Sequence, residues 1–250
     1  MRRSAASVLA LASLAAGVGR PAEAAVLPRR VQQIVIHVPG GPSYRDPGRR
    51  FRFFTPAQTQ ALWKPRFGAH WIVWTDGSLW PRHHAAGEPA SRQPPVDRQA
   101  NDDWKRRLAA EAEPVYGHLH NGNSHTVGIE VSHTGRSGDP FPAAQVRTLA
   151  WLLRTLLAMS EGRLTAASIH GHKDLDRRPA YTLEGCARPG CPVFVDADGR
   201  AFRRRVDPPE DLFAALRREG MDIPRPPGGD AELLRAEAIP DGARPAVSRP

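Results

Sequence analysis

The chain has 250 residues, 40% of them hydrophobic and 24% charged, and carries a formal net charge of +9. A basic balance suits an acidic partner surface such as a cell wall or an anionic lipid. Charge alone would also admit nucleic acid, but there is no zinc-finger, helix-turn-helix or RNA-binding motif, so nucleic acid is not an expected partner.

The first residues read as a secretory signal. A basic start, Met1-Arg2-Arg3, is followed by an Ala- and Leu-rich stretch and the small-x-small site Ala22-Glu23-Ala24. The apolar run is too short to span a bilayer comfortably. Cleavage after Ala24 is expected, giving an exported protein, periplasmic or extracellular, with no stable transmembrane segment. Removing Arg2, Arg3, Arg20 and Glu23 takes away +2 and leaves +7. Residues 25–223 read as one domain, expected to be a monomer. Residues 224–250 form a Pro-, Gly- and charge-rich tail, expected to be disordered apart from a short helix over Ala231–Ala238.

In chain order, Val31–Val38 is short and β-branched and predicts a buried strand ending near His37. Thr55–Trp63 predicts a short helix, with Thr55 as cap and Pro56 at the first helical position. His70–Trp74 predicts a strand, Asp76-Gly77 a hairpin turn, and Ser78–Pro81 the return strand. Residues 82–125 form an irregular insert with one helix near Asp102–Glu113. Thr126–Ser132 predicts a strand with Val127, Ile129 and Val131 on one face and Glu130 on the other. Val146, Leu149, Leu153, Leu156 and Leu157 recur at helical spacing and predict a helix over Ala143–Ser160, with Gly162 after its end. A short strand over Ala167–His170 and an amphipathic helix over Asp211–Arg218 complete the pattern. Alternating strands and helices with one hairpin make the fold class α/β, a mixed central sheet flanked by helices.

Three distant segments end in borderline or soft metal ligands: Val-Gln-Gln-Ile-Val-Ile-His37, Ile-His170-Gly-His172-Lys-Asp, and Arg-Pro-Gly-Cys191-Pro. Two imidazoles and a thiolate with no fourth protein ligand suit a catalytic zinc, whose bound water has a pKa near ~7. A hydrolase is the leading reading. Each residue also has an ordinary explanation. A lone His ending an apolar strand is more often a buried core residue. The His-Gly-His stretch could be a polar turn, with His170 and His172 on one face of an extended segment. Cys191 could pair with Cys186 in an oxidising compartment. Glu130, among apolar neighbours, is either an outward-facing carboxylate or a general base for a metal-bound water.

Taken in order, the strand-end His, His-Trp-Ile-Val-x-x-Asp-Gly, Val-Gly-Ile-Glu-Val, the long helix, Gly-His-Lys-Asp and Cys-Pro-x-Phe resemble the zinc N-acetylmuramoyl-L-alanine amidases. That family includes phage amidase lysozymes and peptidoglycan recognition proteins. The resemblance runs from about His37 to Phe194. It implies a zinc (Zn2+) held by His37, His172 and Cys191, with Glu130 orienting or deprotonating the metal-bound water. It also implies that His70 and Trp71 line the substrate groove. The family's third ligand is Asp or Cys, and Cys186 and Asp196 are alternatives to Cys191. Catalytic members often carry a Lys two residues before that ligand to stabilise the oxyanion. Before Cys191 this position is Pro189, which leaves Arg188 as the nearest cation. The spacing from His172 to Cys191 is longer than usual in the family, and a loop inserted over Arg177–Arg188 would account for it. The implied substrate is peptidoglycan or muropeptides, cut at the amide between N-acetylmuramic acid and L-alanine. The other expectation is a peptidoglycan-binding module of the same fold without turnover.

Overall fold

The computed structural model describes residues 25–38, 68–82, 90–113, 123–133, 140–175, 177–179, 193–195, 201–204 and 207–225. The expected signal segment, the helix over Thr55–Trp63, Arg188, both cysteines, Asp196 and nearly all of the tail lie outside the described residues.

The central sheet has five strands: β1 (Gln33–His37), β2 (Trp71–Val73), β3 (Leu79–Pro81), β4 (Thr126–Val131) and β5 (Ile169–Gly171). Their order is β3-β2-β4-β1-β5. β1 pairs parallel with β4 and β5, β2 pairs parallel with β4, and only β3 runs antiparallel, against β2. The α/β mixed sheet read from the sequence is therefore present. The hairpin joining β2 to β3 turns at Gly77, whose φ is +83°. A Cβ at Gly77 would stand 2.9 Å from the Ala144 carbonyl oxygen, so neither the backbone angle nor the space accepts a side chain.

Strand alternation sorts the side chains onto two faces. Ile34, Ile36, Trp71, Val73, Val127, Ile129, Val131 and Ile169 belong to the main apolar core. That core also takes in the buried face of α2 (Ala143–Met159), with Val146, Leu149, Leu152, Leu153 and Leu156. The helix follows from a long run of strong helix formers with apolar residues at helical spacing. Gln145, fully buried at its N-terminal end, donates to the carbonyls of Val73 and Ser132 and so ties α2 to the ends of β2 and β4.

Two further helices flank this body. α1 (Asp102–Ala112) starts where Asn101 accepts from the Trp104 N–H at 3.0 Å, with Asp102 and Asp103 favouring the helix N-terminus. After the single turn α3 (His172–Leu175), a second sheet of three strands follows: β6 (Arg177–Pro179), β7 (Val193–Val195) and β8 (Ala201–Arg204), in the order β6-β8-β7, all antiparallel. The sequence predicts an inserted loop over Arg177–Arg188 and no strand in this stretch. α4 (Glu210–Arg218) then packs on α2 through Leu212, Phe213 and Leu216. No described helix is long and apolar enough to cross a membrane.

Candidate metal centre

The opposite face of the sheet carries the candidate site residues. Cα pairing sets His37 beside Glu130 and Glu130 beside Ile72. Two residues back along the strands, on the same face, Val35 pairs with both Gly128 and His170. Paired residues of neighbouring strands project to the same side, about 4.8 Å apart along the hydrogen-bonding direction. His37, Glu130 and His170 therefore share the face away from the apolar core. His37 and Glu130 stand at or next to the C-terminal ends of parallel strands, and His172 follows the C-terminal end of β5. The carboxyl ends of parallel strands are where open α/β sheets place ligands.

His37 and His172 meet there. Their Nδ1 atoms are 3.0 Å apart, and their rings make an edge contact with centroids 4.4 Å apart. The third member is Asp207. Its Oδ2 lies 3.2 Å from His172 Nδ1 and accepts from the Val38 N–H at 3.3 Å. All three residues are nearly inaccessible, at 4%, 7% and 9% exposure. Their ligand-type atoms all fall within 4.8 Å of one another. Gly171 is what lets the chain around Asp207 come this close to β5. A Cβ there would stand 2.9 Å from Pro208 Cδ and 3.3 Å from Phe213 Cζ.

This donor set fits a zinc-like cation. Ligand atoms held about 2.0–2.1 Å from a tetrahedral zinc stand roughly 3.3 Å from one another. The separations of 3.0 Å and 3.2 Å are close to that value. Two imidazole nitrogens facing each other cannot both carry a proton, and His172 Nδ1 also faces a carboxylate oxygen. A single proton on His172 serves His37 or Asp207 in turn, whereas a shared cation satisfies all three donors at once. Two histidines and one carboxylate are also a ligand set used by catalytic zinc sites, with an open fourth position.

The sequence-derived residues fall out as follows. His37 and His172 come together. Glu130 is half-buried on the same face, in the strand next to His37. His70 lies on that face as well. Its backbone N–H donates to the Gly128 carbonyl, and its Nδ1 accepts the Gly128 N–H at 2.9 Å, which leaves the ring hydrogen of the neutral imidazole on Nε2. Trp71 points the other way. It is 1% exposed and part of the apolar core, so the structure places it apart from the site face. His170 is half-buried near the Asp174 and Arg225 pair. Burial, helped by Arg225 and opposed by Asp174, lowers its pKa below 6.5. Cys191 and Arg188 lie outside the described residues, and Asp207 occupies the third place beside the two histidines. A signal for it was present in the sequence: Arg205-Val206-Asp207-Pro208 puts a cation two residues before an Asp. Asp207 is 35 positions after His172, and the Cys-Pro-x-Phe stretch lies between them.

Among solved structures, the N-acetylmuramoyl-L-alanine amidase LysC from Clostridium intestinale URNW aligns with 17% identity over 61% of this chain and 78% of its own, at a TM-score of 0.34. AmpDH3 from Pseudomonas aeruginosa aligns with 17% identity over 86% of this chain and 67% of its own, at a TM-score of 0.39. The N-acetylmuramyl-L-alanine amidase AmiD from E. coli, solved with anhydro-N-acetylmuramic acid-L-Ala-D-gamma-Glu-L-Lys, aligns with 18% identity over 72% of this chain and 64% of its own, at a TM-score of 0.33. No curated protein sequence matches the chain significantly. The family model for N-acetylmuramoyl-L-alanine amidase matches residues 27–203, well over half of the 250 residues. The chain belongs to the N-acetylmuramoyl-L-alanine amidase family.

Proposed function

We propose that this amidase is a zinc hydrolase of peptidoglycan or its muropeptides. It acts after export, in the periplasm or outside the cell, and cuts the amide between the lactyl group of N-acetylmuramic acid and L-alanine. The carrying observation is the convergence of His37, His172 and Asp207 in a buried cluster, with Glu130 in the adjacent strand at the paired position. In this reading Asp207 takes the ligand role that Cys191 had in the sequence reading.

Zinc bound there would polarise the scissile carbonyl and lower the pKa of a coordinated water toward ~7. The remaining work belongs to the chain. His37 and His172 present neutral imidazole nitrogens, and Asp207 contributes the negative charge that keeps a cation in a buried site. Val38 N–H holds the Asp207 carboxylate in place. Glu130 accepts a proton from the attacking water and returns it to the departing amine of L-alanine, a step that general bases accelerate by about 10²–10⁴-fold. The developing oxyanion calls for a further cation. The resemblance puts it two residues before the third ligand, and with Asp207 in that role the position is Arg205 instead of Arg188. Loss of one such donor typically costs about 10²–10³ in rate.

The test is digestion of purified sacculi, with identification of the new chain end. Release of peptides with amino-terminal alanine supports the reading. New glycan reducing ends, or cuts within the peptide, overturn it.

A further inference from the structure

Behind the candidate metal centre lies a second cluster, and its four members are charged. Lys173 is 1% exposed and its Nζ is 2.9 Å from Glu210 Oε1. Arg225 grips two carboxylates at once. Its Nη1 and Nη2 donate to Asp174 Oδ2 and Oδ1 at 2.6 and 3.0 Å, and its Nε and Nη2 donate to Glu210 Oε2 and Oε1 at 3.1 and 2.9 Å. The guanidinium carbon also sits 3.6 Å from the centre of the Phe213 ring. Among the described residues, two cations face two anions here. Burial pushes the Glu210 carboxyl up, but hydrogen bonds from Arg225 and Lys173 more than offset this and hold it below its usual value.

Three of the four members follow a candidate ligand closely in the chain. Lys173 and Asp174 follow His172 on α3, and Glu210 follows Asp207 by three residues at the start of α4. The Lys173 N–H donates to the Asp207 carbonyl at 2.8 Å, and Asp174 Oδ2 accepts the Gly171 N–H at 2.7 Å. Arg225 comes from beyond α4, 51 residues from Asp174. It bridges the segment that carries one ligand to the segment that carries another. Asp207, Glu210 and Arg225 all lie past residue 203, where the match to the family model ends.

The geometry points to Arg225 as a positioning residue for the metal centre: its double fork onto Asp174 and Glu210 locks α3 to α4 and so fixes His172 against Asp207 before a cation arrives. This rests on the metal-centre reading above. A planar guanidinium is needed because an ammonium cannot grip two carboxylates in two-pronged fashion. A preorganised ligand set binds its metal more tightly, and loss of a supporting partner typically costs 10–100-fold in metal affinity.

The experiment is a zinc-competition titration against a chelator, with the metal-free melting temperature measured in parallel. The proteins are wild type, Arg225→Met, Arg225→Lys and the control Arg217→Met, which breaks an exposed pair with Asp222. The expected result is zinc binding weakened about 10- to 100-fold in Arg225→Met, an intermediate loss in Arg225→Lys, and no change in Arg217→Met. Arg225→Met with a lower metal-free melting temperature but wild-type zinc affinity overturns the proposal and leaves a structural role only. If Arg225→Met does not fold, wild-type affinity in Arg225→Lys overturns it equally. A wild-type protein that takes up no zinc removes the metal-centre reading and this one with it. Tight binding by wild type and variants alike removes this one alone.

Discussion

His172 Nδ1 lies 3.2 Å from Asp207 Oδ2, at a sequence separation of 35 that holds a three-stranded sheet of its own. That contact defines the third corner of the candidate metal centre, and it separates two otherwise similar accounts. If Asp207 is the ligand, Asp207→Ala removes a charged donor and zinc uptake measured by elemental analysis falls to background. Cys191→Ser then retains the metal. The reverse pattern, with zinc kept in Asp207→Ala and lost in Cys191→Ser, assigns the third ligand to Cys191.

Glu130 stands beside His37 in the sheet without belonging to the ligand cluster. Glu130→Gln therefore leaves zinc content unchanged while lowering the turnover of muropeptides by about 10²–10⁴-fold. Loss of metal in that variant would make Glu130 part of the ligand set instead.

His70 has a structural duty on the same face. Its Nδ1 satisfies the buried Gly128 N–H in the middle of β4. Truncation to Ala leaves that donor without its acceptor, and a loss of about 1–3 kcal/mol is expected. Denaturant unfolding of His70→Ala measures it. Unchanged stability would mean the Gly128 N–H is served some other way.

Glu210 supplies a pH signature. Its carboxyl is held below the usual 4.5 because hydrogen bonds from Arg225 and Lys173 outweigh its burial. A depressed carboxyl contributes stability above the unfolded-state pKa and loses it as pH falls through the folded-state one. Glu210→Gln should thus be less stable than wild type at neutral pH. The gap should narrow as pH drops below about 4.5, followed by thermal melts across pH 3–7. A gap constant over that range would contradict the ion-pair account.

Much of this was legible in the residues because it is local. Val127, Ile129 and Val131 alternate with Glu130, and the two sides of β4 follow directly. The spacing of Val146, Leu149, Leu153 and Leu156 fixes the buried face of α2. His37 and His172 stand out through the short motifs around them. The second sheet is not legible, because β6, β7 and β8 have only three or four residues each, too few to display a period. The His-Trp pair suggests that both residues line a groove, but adjacent residues of a strand face opposite ways, and Trp71 belongs to the core. Asp207 and Arg225 carry little local signal because their partners are distant in sequence. An aspartate before Pro-Pro and an arginine in a Pro-rich stretch look like ordinary surface residues until the fold brings them to His172 and Asp174.

The most direct measurement is the release of amino-terminal alanine from purified sacculi by native protein, chelator-treated protein, and treated protein resupplied with zinc. The account predicts release that chelation abolishes and zinc restores in wild type, with no restoration in His172→Ala or Asp207→Ala. Release that persists at the wild-type rate after the metal has been stripped would contradict it.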